Sequence, residues 1–553
     1  MKTFTLLTIL FALLFISKLT QSQPTQQWAS RYNNGSTDQC KAMTVDASGN
    51  VYVTGSSRSG GAFTEDIATN KYNSAGTLIW SKRFVGTGFG EDIGNSIAVD
   101  GAGNVYVTGR TWTGAASNND IVTIKYNSAG DSVWVKKFNG SSSNHDEGFS
   151  IAIDGAGNVY VTGTSRGTIS THGLFQDYVT VKYNSAGVQL WAASYNGPGT
   201  DNDYAYSIAV DGSGNVYITG VSGGGSTGSG STYDDYATLK YNSLGVMQWV
   251  MRYTGMGSTG TDGATQLKID ASGNVYVTGK SQGTTSDYDY ATIKYSTAGA
   301  LMWVTRYNGP GNSADESYSI ALDGTNNVYV TGKSYGGATT MQDITTVKYN
   351  TLGVQQWASR FNGSSGTNDE GKAITVDSAS NVYVTGYSTN PTTADDYQTI
   401  KYNTLGVQQW EIKYTNSGSA GSQDAAASIF ADNSGNVYVA GMSALDYAVV
   451  KYASVTGINP TTNETADKFE LKQNYPNPFN PSTKISFKIA DIGNVSLKVY
   501  DINGKEVVTL ISKEMNAGNY EVTFDANKLS SGVYFYKLVT NEFSDTKRMM
   551  LVK

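Results

Sequence analysis

The sequence predicts an all-β protein: an eight-bladed β-propeller closed by its N-terminal strand, followed by a small antiparallel β-sandwich. Two observations support this prediction. First, the stretch Gly-Asn-Val-Tyr-Val-Thr-Gly occurs eight times with small changes, and its tyrosines are Tyr52, Tyr106, Tyr160, Tyr217, Tyr276, Tyr329, Tyr383 and Tyr438. Spacings of 53 to 59 residues between them identify an array of repeats. Second, the repeat ends before residue 468, and a Lys-rich segment follows.

Each repeat reads as four short strands. An apolar strand ends in aspartate, as at Asp100, and a tight Gly-Ala-Gly turn leads into the Asn-Val-Tyr-Val-Thr-Gly strand. After a variable loop, a third strand spans residues 120–126, and the turn at residues 127–130 leads to a fourth strand that carries Trp134. This order predicts a four-stranded antiparallel sheet for every repeat.

The tryptophans of the fourth strands show how the array closes. They are Trp28, Trp80, Trp134, Trp191, Trp249, Trp303, Trp357 and Trp410. The first of them precedes the first complete repeat, and the last repeat has no tryptophan strand after it. We therefore expect residues 28–32 to complete the last blade, which would remove the open edges of the array.

Composition and hydropathy divide the chain. Residues 1–22 resemble a signal peptide, residues 23–453 form the propeller, residues 454–467 a polar linker and residues 468–553 the sandwich. No later segment is apolar for long enough to cross a membrane as a helix. Cys40 is the one cysteine, so no internal disulfide can form, and its position in the repeat otherwise holds Gly, Ala or Ser. We expect Cys40 to be a small buried residue.

Charge excludes one class of partner. Residues 23–467 carry 25 Lys and Arg against 37 Asp and Glu, a net charge of −12, whereas residues 468–553 carry 12 against 9, a net charge of +3. Nucleic-acid binding depends on basic side chains that neutralise phosphates. An acidic body therefore predicts no nucleic-acid partner.

The repeats resemble the bacterial SBBP β-propeller repeat. The resemblance is carried by Ser-Ile-Ala-Val-Asp-Gly-Ser-Gly-Asn-Val-Tyr-Ile-Thr-Gly at residues 207–220 and by Lys-Tyr-Asn-Ser-Ala-Gly-Val-Gln-Leu-Trp at residues 182–191. The family's name refers to seven blades, whereas eight repeats are counted here. The segment Asn-x-x-Gly-x-x-x-Trp is also similar to the tryptophan-docking repeat of quinoprotein dehydrogenases. Their site uses adjacent cysteines, so a single cysteine argues against a quinone cofactor.

The last segment closely resembles the C-terminal sorting domain of type IX secretion cargo. The residues that carry the resemblance are Asn-Tyr-Pro-Asn-Pro-Phe-Asn-Pro-Ser at 474–482, the turn at 501–505, Leu-Ser-Ser-Gly-Val-Tyr-Phe-Tyr at 529–536 and the basic end at 547–553. The resemblance implies passage across the outer membrane of a Gram-negative bacterium by the type IX machinery. It also implies an extracellular or outer-membrane surface location, with release and anchoring both open.

Three aspartates recur in every repeat, and the set five residues before the first apolar strand suggests a metal site. Its members are Asp38, Asp92, Asp146, Asp203, Asp262, Asp315, Asp369 and Asp424. Converging carboxylates would bind calcium. The alternative is that they accept hydrogen bonds from loop amides, and eightfold recurrence favours it. No cofactor is expected, with calcium as the one alternative.

Candidate binding residues come from the loops between second and third strands. Trp112, Phe175 and Tyr233 are aromatic residues on a polar, acidic rim, where rings stack against sugars. The alternative is that such residues begin the packing of the third strand, and it also covers Phe63 and Tyr288.

No catalytic motif is present. His145 and His172 are the only histidines, and no serine, cysteine or P-loop motif is found. We therefore expect a secreted or surface-displayed, non-catalytic scaffold that binds a glycan or a protein. The alternative is a secreted lyase or glycoside hydrolase, whose carboxylate pair would be spatial and invisible in the sequence.

Overall fold

A computed structural model describes residues 23–58, 65–87, 90–114, 119–140, 145–166, 175–199, 201–224, 233–255, 260–283, 287–337, 339–363, 366–390, 394–415, 423–453, 459–462, 468–515, 517–526 and 529–553. The regular secondary structure of these residues is all β. The leader predicted at residues 1–22 lies outside them. Among the described residues, no helix has the length and apolarity needed to cross a membrane.

The first four repeats each form one antiparallel sheet of four consecutive strands, as the sequence predicts. Sheet 1 consists of Asp38–Val45, Val51–Arg58, Glu65–Tyr72 and Leu78–Phe84. Sheet 2 consists of Ile93–Val99, Val105–Trp112, Asn119–Tyr126 and Ser132–Phe138. Sheet 3 consists of Glu147–Ile153, Val159–Arg166, Gln176–Tyr183 and Gln189–Tyr195. Sheet 4 consists of Tyr204–Val210, Val216–Gly223, Asp234–Tyr241 and Met247–Tyr253.

The next three repeats follow the same order, and the eighth borrows a strand from the N-terminus. Sheet 5 consists of Gly263–Ile269, Val275–Gln282, Tyr288–Tyr295 and Leu301–Tyr307. Sheet 6 consists of Asp315–Leu322, Val328–Tyr335, Gln342–Tyr349 and Gln355–Phe361. Sheet 7 consists of Asp369–Val376, Val382–Asn390, Ala394–Tyr402 and Gln408–Tyr414. Sheet 8 consists of Asp424–Ala431, Asn436–Ser443, Asp446–Ala453 and, as its fourth strand, Thr25–Tyr32.

The turn between first and second strands is built by the aspartate that ends the first strand. In sheet 1, Asp46 accepts hydrogen bonds from the main-chain N–H groups of Ser48 and Asn50, each at 2.9 Å. Its other oxygen accepts the Asn50 amide at 2.8 Å and the Tyr52 hydroxyl at 2.9 Å. Burial alone would raise the pKa of Asp46, but these hydrogen bonds outweigh it and lower the pKa. This recurring aspartate therefore has a structural role.

Aromatic side chains pack the sheets against one another. The Trp80 ring lies 6.3 Å from the ring of Tyr52 in its own sheet and 6.0 Å from that of Tyr126 in sheet 2. Its indole N–H donates to the Ser128 carbonyl at 3.2 Å. Tyrosine and tryptophan therefore fill the space between neighbouring sheets, as the repeat predicts. Cys40 is also buried, and burial raises the pKa of its thiol to about 12.

The contact between Trp80 and the turn of sheet 2 predicts a sharp difference between two glycine substitutions. Gly130 has a φ of +87°, and a Cβ there would lie 2.8 Å from the Trp80 ring. Gly101 has nothing within 4 Å of such an atom. We expect Gly130→Ala to lower the free energy of unfolding by about 2–4 kcal/mol because it adds backbone strain to a steric clash. Gly101→Ala, the matched control, is expected to change it by under about 0.5 kcal/mol. Denaturant unfolding of the two variants measures the difference, and equal effects would contradict the packing.

Sheet 8 packs against sheet 1. The first strands of successive sheets contact one another, and the first strands of sheets 1 and 8 also make contact. A hydrophobic cluster joins Cys40 and Val51 of sheet 1 to Tyr447 and Val449 of sheet 8. The Tyr447 hydroxyl donates to the Ala68 carbonyl of sheet 1 at 3.2 Å, as strand-three tyrosines do between other neighbouring sheets.

The C-terminal segment forms two further four-stranded sheets around one hydrophobic cluster. One contains, in spatial order, Asn459–Thr462, Gly518–Asp525, Ser482–Ile489 and Glu470–Leu471. The other contains Glu506–Met515, Gly493–Tyr500, Gly532–Val539 and Ser544–Leu551. The predicted linker of residues 454–467 therefore includes an edge strand of this unit, because residues 459–462 pair with residues 519–521. The polar composition of that strand hid it from sequence analysis.

Candidate binding surface at the variable edge

Each sheet has two different edges. We call the edge that carries the loop between second and third strands the variable edge. The aspartates named above as candidate metal ligands lie there, and so does a second recurring set at the start of the third strands, which we call the third-strand set. In sheet 1, Asp38 pairs in register with Ser57, which pairs with Asp66 of the third-strand set. Both sets therefore lie at strand ends or directly beside them.

The eight aspartates predicted as metal candidates are buried and hydrogen-bonded to the main chain. Asp315 accepts from the N–H groups of Gly309 at 2.5 Å and Tyr335 at 3.0 Å. Asp203 accepts from Gly197 at 2.8 Å and Gly223 at 2.9 Å. The other members also accept main-chain N–H groups: Asp38, Asp92, Asp146, Asp262, Asp369 and Asp424. These contacts fit the alternative that the aspartates accept hydrogen bonds from loop amides.

No metal centre is assembled from the described part of the chain. No group of three or more His, Cys, Asp or Glu side chains there lies close enough to hold an ion. The eight aspartates occupy eight separate sheets, and each already accepts at least one main-chain N–H group. Calcium binding by these residues stays the alternative to this structural role.

Five of the eight aspartates of the third-strand set form ion pairs with arginines of the fourth strands. Arg252 lies 2.7 Å from Asp235, and Arg306 lies 2.9 Å from Asp289. The same pairing joins Arg31 to Asp446, Arg83 to Asp66 and Arg360 to Asp343. Each arginine extends from the fourth strand to the third-strand aspartate of its own sheet and so joins these two strands at the variable edge.

A bulge in every first strand carries residues that differ from sheet to sheet. The register with the second strand shifts by one residue, which leaves one residue of the first strand unpaired. From sheet 1 to sheet 8 these residues are Lys41, Asn95, Phe149, Tyr206, Thr265, Tyr318, Lys372 and Ala427. A bulge redirects its side chain out of the strand alternation and often marks a functional site. Here the eightfold pattern breaks.

Three aromatic residues of sheets 3 and 4 form what we call the aromatic cluster: Phe149, Tyr204 and Tyr206. The rings of Phe149 and Tyr206 lie 5.4 Å apart. Tyr204 and Tyr206 stack with ring centroids 6.1 Å apart and an interplanar angle of 5°. Tyr206 is 39% exposed, more than any other aromatic residue in the first strands that the structure describes. Burial of the hydroxyl and the neighbouring Tyr204 raise the pKa of Tyr206 to about 12, so its hydroxyl stays protonated at neutral pH.

A polar network lies beside the aromatic cluster and centres on Glu147, which is 9% exposed. Glu147 contacts Arg110 at 3.2 Å, the Asn95 amide at 2.8 Å and His145 Nε2 at 3.4 Å. Burial raises the pKa of Glu147, but the hydrogen bond from His145, the charge of Arg110 and the Asn95 amide outweigh it and lower the pKa. Arg110 also contacts Glu91 at 2.8 Å. This network therefore holds an ionised carboxylate.

A second charged network joins sheets 6 and 7. Lys333 bridges Glu316 at 3.8 Å and Glu370 at 3.6 Å. Lys372 contacts Glu370, and its ammonium lies 4.4 Å from the centre of the Tyr318 ring. The balanced charges satisfy one another. This part of the variable edge is therefore polar without a large net charge.

The three predicted ligand-binding aromatics lie on the variable edge of different sheets. Trp112 ends the second strand of sheet 2 and packs on Gly90, where an added Cβ would lie 2.0 Å from its ring. Phe175 and Tyr233 directly precede the third strands of sheets 3 and 4 and are partly buried. No ring contact joins the three in the described structure. Their role in binding stays a prediction, and His172 and Phe63 lie outside the described residues.

Sequence reasoning missed the aromatic cluster. Tyr204 and Tyr206 were hidden because they lie inside a strand that was interpreted as core. A signal was present in the repeat alignment: the position that holds Phe149 and Tyr206 holds Lys, Asn, Thr or Ala in most other repeats. A core position of a packed strand would hold similar apolar residues throughout.

Family models match both parts of the chain. The SBBP β-propeller repeat matches residues 27–61, 79–114, 133–169, 195–226, 303–337 and 356–391. The secretion system C-terminal sorting domain matches residues 473–553. Both matches confirm the resemblances that the sequence motifs carry.

Comparisons with individual proteins are more distant. An uncharacterised WD repeat-containing protein of Acanthamoeba polyphaga mimivirus is 23% identical over 537 residues, covering 75% of this chain. The chain spans about a third of that relative, 36% of its length. Among solved structures, a fungal alcohol oxidase of the AA5 family has 12% identity and a TM-score of 0.36, covering 83% of this chain and 96% of the oxidase. The propeller domain of the Pyrococcus furiosus trilobed protease has 7% identity and a TM-score of 0.37, covering 69% of this chain and 98% of that domain.

The repeat model, the run of four-stranded antiparallel sheets and the matched C-terminal segment agree with one another. The sorting domain indicates a secreted or cell-surface protein that engages the type IX machinery. The chain is therefore a β-propeller repeat protein of the SBBP type that carries a type IX secretion sorting domain at its C-terminus.

Proposed function

We propose that this chain is an exported, non-catalytic binding or scaffold protein with an eight-bladed, closed propeller over residues 23–453. Its bulged first-strand residues would face a common ligand site at the mouth of the central channel, and its ligand would be a glycan or a protein. Residues 468–553 deliver it to the outer-membrane surface or the medium, after removal of the leader at residues 1–22.

Contacts between the first and last sheets support the closed ring. The strand Thr25–Tyr32 pairs with Asp446–Ala453, and Trp28 of that strand donates to the Ser74 carbonyl of sheet 1 at 3.1 Å. Ser30 donates to the Gly76 carbonyl at 2.5 Å. The tryptophan contact recurs from the fourth strands of sheets 1 to 6 to the next sheet, and the serine contact recurs between Ser359 and Gly406, which supports a ring of eight blades.

The aromatic cluster is the observation that carries the proposed function. Its rings depart from the eightfold repeat, and Tyr206 is exposed although it lies in the first strand of its sheet. Exposed rings with a polar neighbourhood suit stacking against the apolar face of a sugar, or burial under a protein side chain. Trp112, Phe175 and Tyr233 lie at the same variable edge and would extend the surface outwards.

Replacement of Tyr206 tests this function. We expect Tyr206→Ala to weaken binding of any ligand found on a glycan array or in a surface-protein screen by at least about tenfold, because a stacked ring contributes on the order of 1–3 kcal/mol. The experiment uses the mature chain from residue 23. Tyr475→Ala is the matched control, since Tyr475 is 80% exposed and lies in the sorting domain. Equal binding by Tyr206→Ala and the control would refute a site at the aromatic cluster.

The polar network around Glu147 favours a second candidate, a secreted polysaccharide lyase or hydrolase. His145, Glu147 and Arg110 form a cluster that breaks the repeat beside the exposed Tyr206, as an active site would. Product analysis on each bound glycan separates the two candidates. Shortened or unsaturated products that disappear in Glu147→Gln would establish the enzyme. Intact ligand with both proteins supports the binding function.

A further inference from the structure

The arginine of the fourth strand is held in a fixed set of contacts. In sheet 4, Arg252 reaches Asp235 at 2.7 Å, the Ser222 hydroxyl at 2.6 Å and the Ser222 carbonyl at 3.0 Å. It also donates to the hydroxyl of Tyr195 in sheet 3 at 3.3 Å. Sheets 5 and 6 repeat the arrangement with Arg306 and Arg360. The variable edge therefore contains a recurring receptor for a guanidinium group.

Sheet 3 has the aspartate and the serine of this receptor without the arginine, and Phe138 of sheet 2 lies at the position from which sheet 3 supplies the Tyr195 hydroxyl to Arg252. The position of Arg252 in sheet 4 corresponds to Ser194 in sheet 3, whose side chain is short and exposed. The aspartate is present as Asp177, and the serine as the buried Ser165. In the seven other sheets this position holds Arg31, Arg83, Lys137, Arg252, Arg306, Arg360 or Lys413. Sheet 3 thus stands alone in having no basic residue there.

The carboxylate left in sheet 3 is electrostatically uncompensated. In the described structure no cation and no hydrogen-bond donor contacts the side chain of Asp177. Burial, and then the charge of the adjacent Asp203, raise the pKa of Asp177 to about 6. At neutral pH the group is mostly ionised, so it still attracts a cation. The equivalent aspartate of sheet 4, Asp235, forms an ion pair with Arg252 at 2.7 Å.

We propose that Asp177, together with the hydroxyl and carbonyl of Ser165, is a binding site for a guanidinium group that a ligand supplies. The chain itself supplies that group in five other sheets, and the acceptors there match its planar, forked set of donors. A metal ion is a poorer fit, because the oxygens of the nearby Asp203 already accept the N–H groups of Gly197 and Gly223. The site goes beyond the proposed function and does not depend on the aromatic cluster.

Titration with agmatine, a small guanidinium compound, tests the site. Saturation-transfer NMR on the mature chain at pH 7.5 measures agmatine binding. The competitors are calcium and 1,4-diaminobutane, which has the same chain and charge as agmatine but an ammonium in place of the guanidinium. We expect agmatine to bind more tightly than 1,4-diaminobutane, and we expect Asp177→Asn and Ser194→Arg each to weaken its binding at least tenfold. Ser194→Ala is the matched control that leaves the site open, and it should bind agmatine as the natural chain does.

A thermal-stability measurement tests the site in a way that does not depend on the affinity for agmatine. Ser194→Arg should raise the melting temperature by several degrees, since it restores an ion pair that neighbouring sheets have, and the gain should vanish in the Asp177→Asn background. Agmatine binding that none of these substitutions alters would overturn the site. So would calcium binding that depends on Asp177, or a Ser194→Arg variant that gains nothing together with absent agmatine binding.

Discussion

A mature chain that begins at residue 33 instead of residue 23 is expected to lose the cooperative folding of its propeller. The missing strand, Thr25–Tyr32, is the fourth strand of sheet 8. Its loss exposes the ladder edge of Asp446–Ala453 and removes the contact between the Tyr32 and Tyr447 rings, whose centroids lie 5.5 Å apart. It also removes the ion pair between Arg31 and Asp446 at 2.7 Å.

The size of this effect follows from the number of interactions lost. About six ladder hydrogen bonds at about 1 kcal/mol each, together with the ring contacts of Trp28 with Tyr438 and of Tyr32 with Tyr447, amount to about 5–10 kcal/mol. A whole domain is commonly stable by about 5–15 kcal/mol, so the truncated protein should be mostly unfolded or aggregated through its open edge. Far-ultraviolet circular dichroism and thermal melting measure the loss.

A permuted chain is the control for this truncation. Residues 25–32 are moved to follow residue 453 through the turn Asn-Ser-Ala-Gly, which joins third to fourth strands in other repeats, and the rest of the chain continues after them. The permuted protein should regain the cooperative transition, because the same strand then pairs with the same neighbour. A truncated protein that melts like the full chain would show that the N-terminal strand does not close the ring.

Replacement of Asp315 by alanine is expected to destabilise the protein by about 3–5 kcal/mol, because it leaves the buried N–H groups of Gly309 and Tyr335 without an acceptor. Asp315 is fully buried, and burial raises its pKa while the hydrogen bonds from Gly309 and Ser334 oppose that rise. The aspartate belongs to the set that the sequence presented as candidate calcium ligands. The substitution therefore also separates a structural role from a metal site.

Melting temperatures measured in calcium and in chelator distinguish the structural role from a metal site. For each of the two proteins, the natural chain and Asp315→Ala, the melting temperature in calcium should lie within about 1 °C of that in chelator. A ligand stabilises only the state that binds it, and we expect these aspartates to bind no calcium. The exposed Asp131 supplies the control, and Asp131→Ala should change stability by under about 0.5 kcal/mol. If chelator destabilised the natural chain and left Asp315→Ala unaffected, the aspartates would be metal ligands after all.

The repeat made most of the fold predictable. Eight copies of one pattern indicate eight sheets, and the Asp-x-x-Gly-Asn turns carry their own hydrogen-bond partners, so Asp46 and Asn50 need no distant residue to close their turn. The unpaired first tryptophan predicted that residues 28–32 would join the last repeat, and the pairing of Trp28 with Lys451 agrees. The C-terminal motifs likewise identified the sorting domain without a structure.

The candidate site was less predictable, since its residues are brought together by geometry that a single strand does not encode. Phe149 and Tyr206 are 57 residues apart in sequence. They meet because each first strand has a bulge that redirects one side chain and because sheets 3 and 4 are neighbours. Trp112, singled out as an aromatic residue of a variable loop, ends a second strand and packs on Gly90 in the segment that precedes its sheet.

By itself, the sequence determined the sheets, their order, their tight turns and the route of export, because each depends on local patterns repeated along the chain. Tertiary structure alone decided which aspartates accept main-chain amides, which pair with arginines, and that no cation among the described residues contacts Asp177. Those outcomes depend on contacts between strands and between sheets. A carboxylate there can be hydrogen-bonded by an amide, a guanidinium or a ligand, and the local sequence around it does not distinguish these partners.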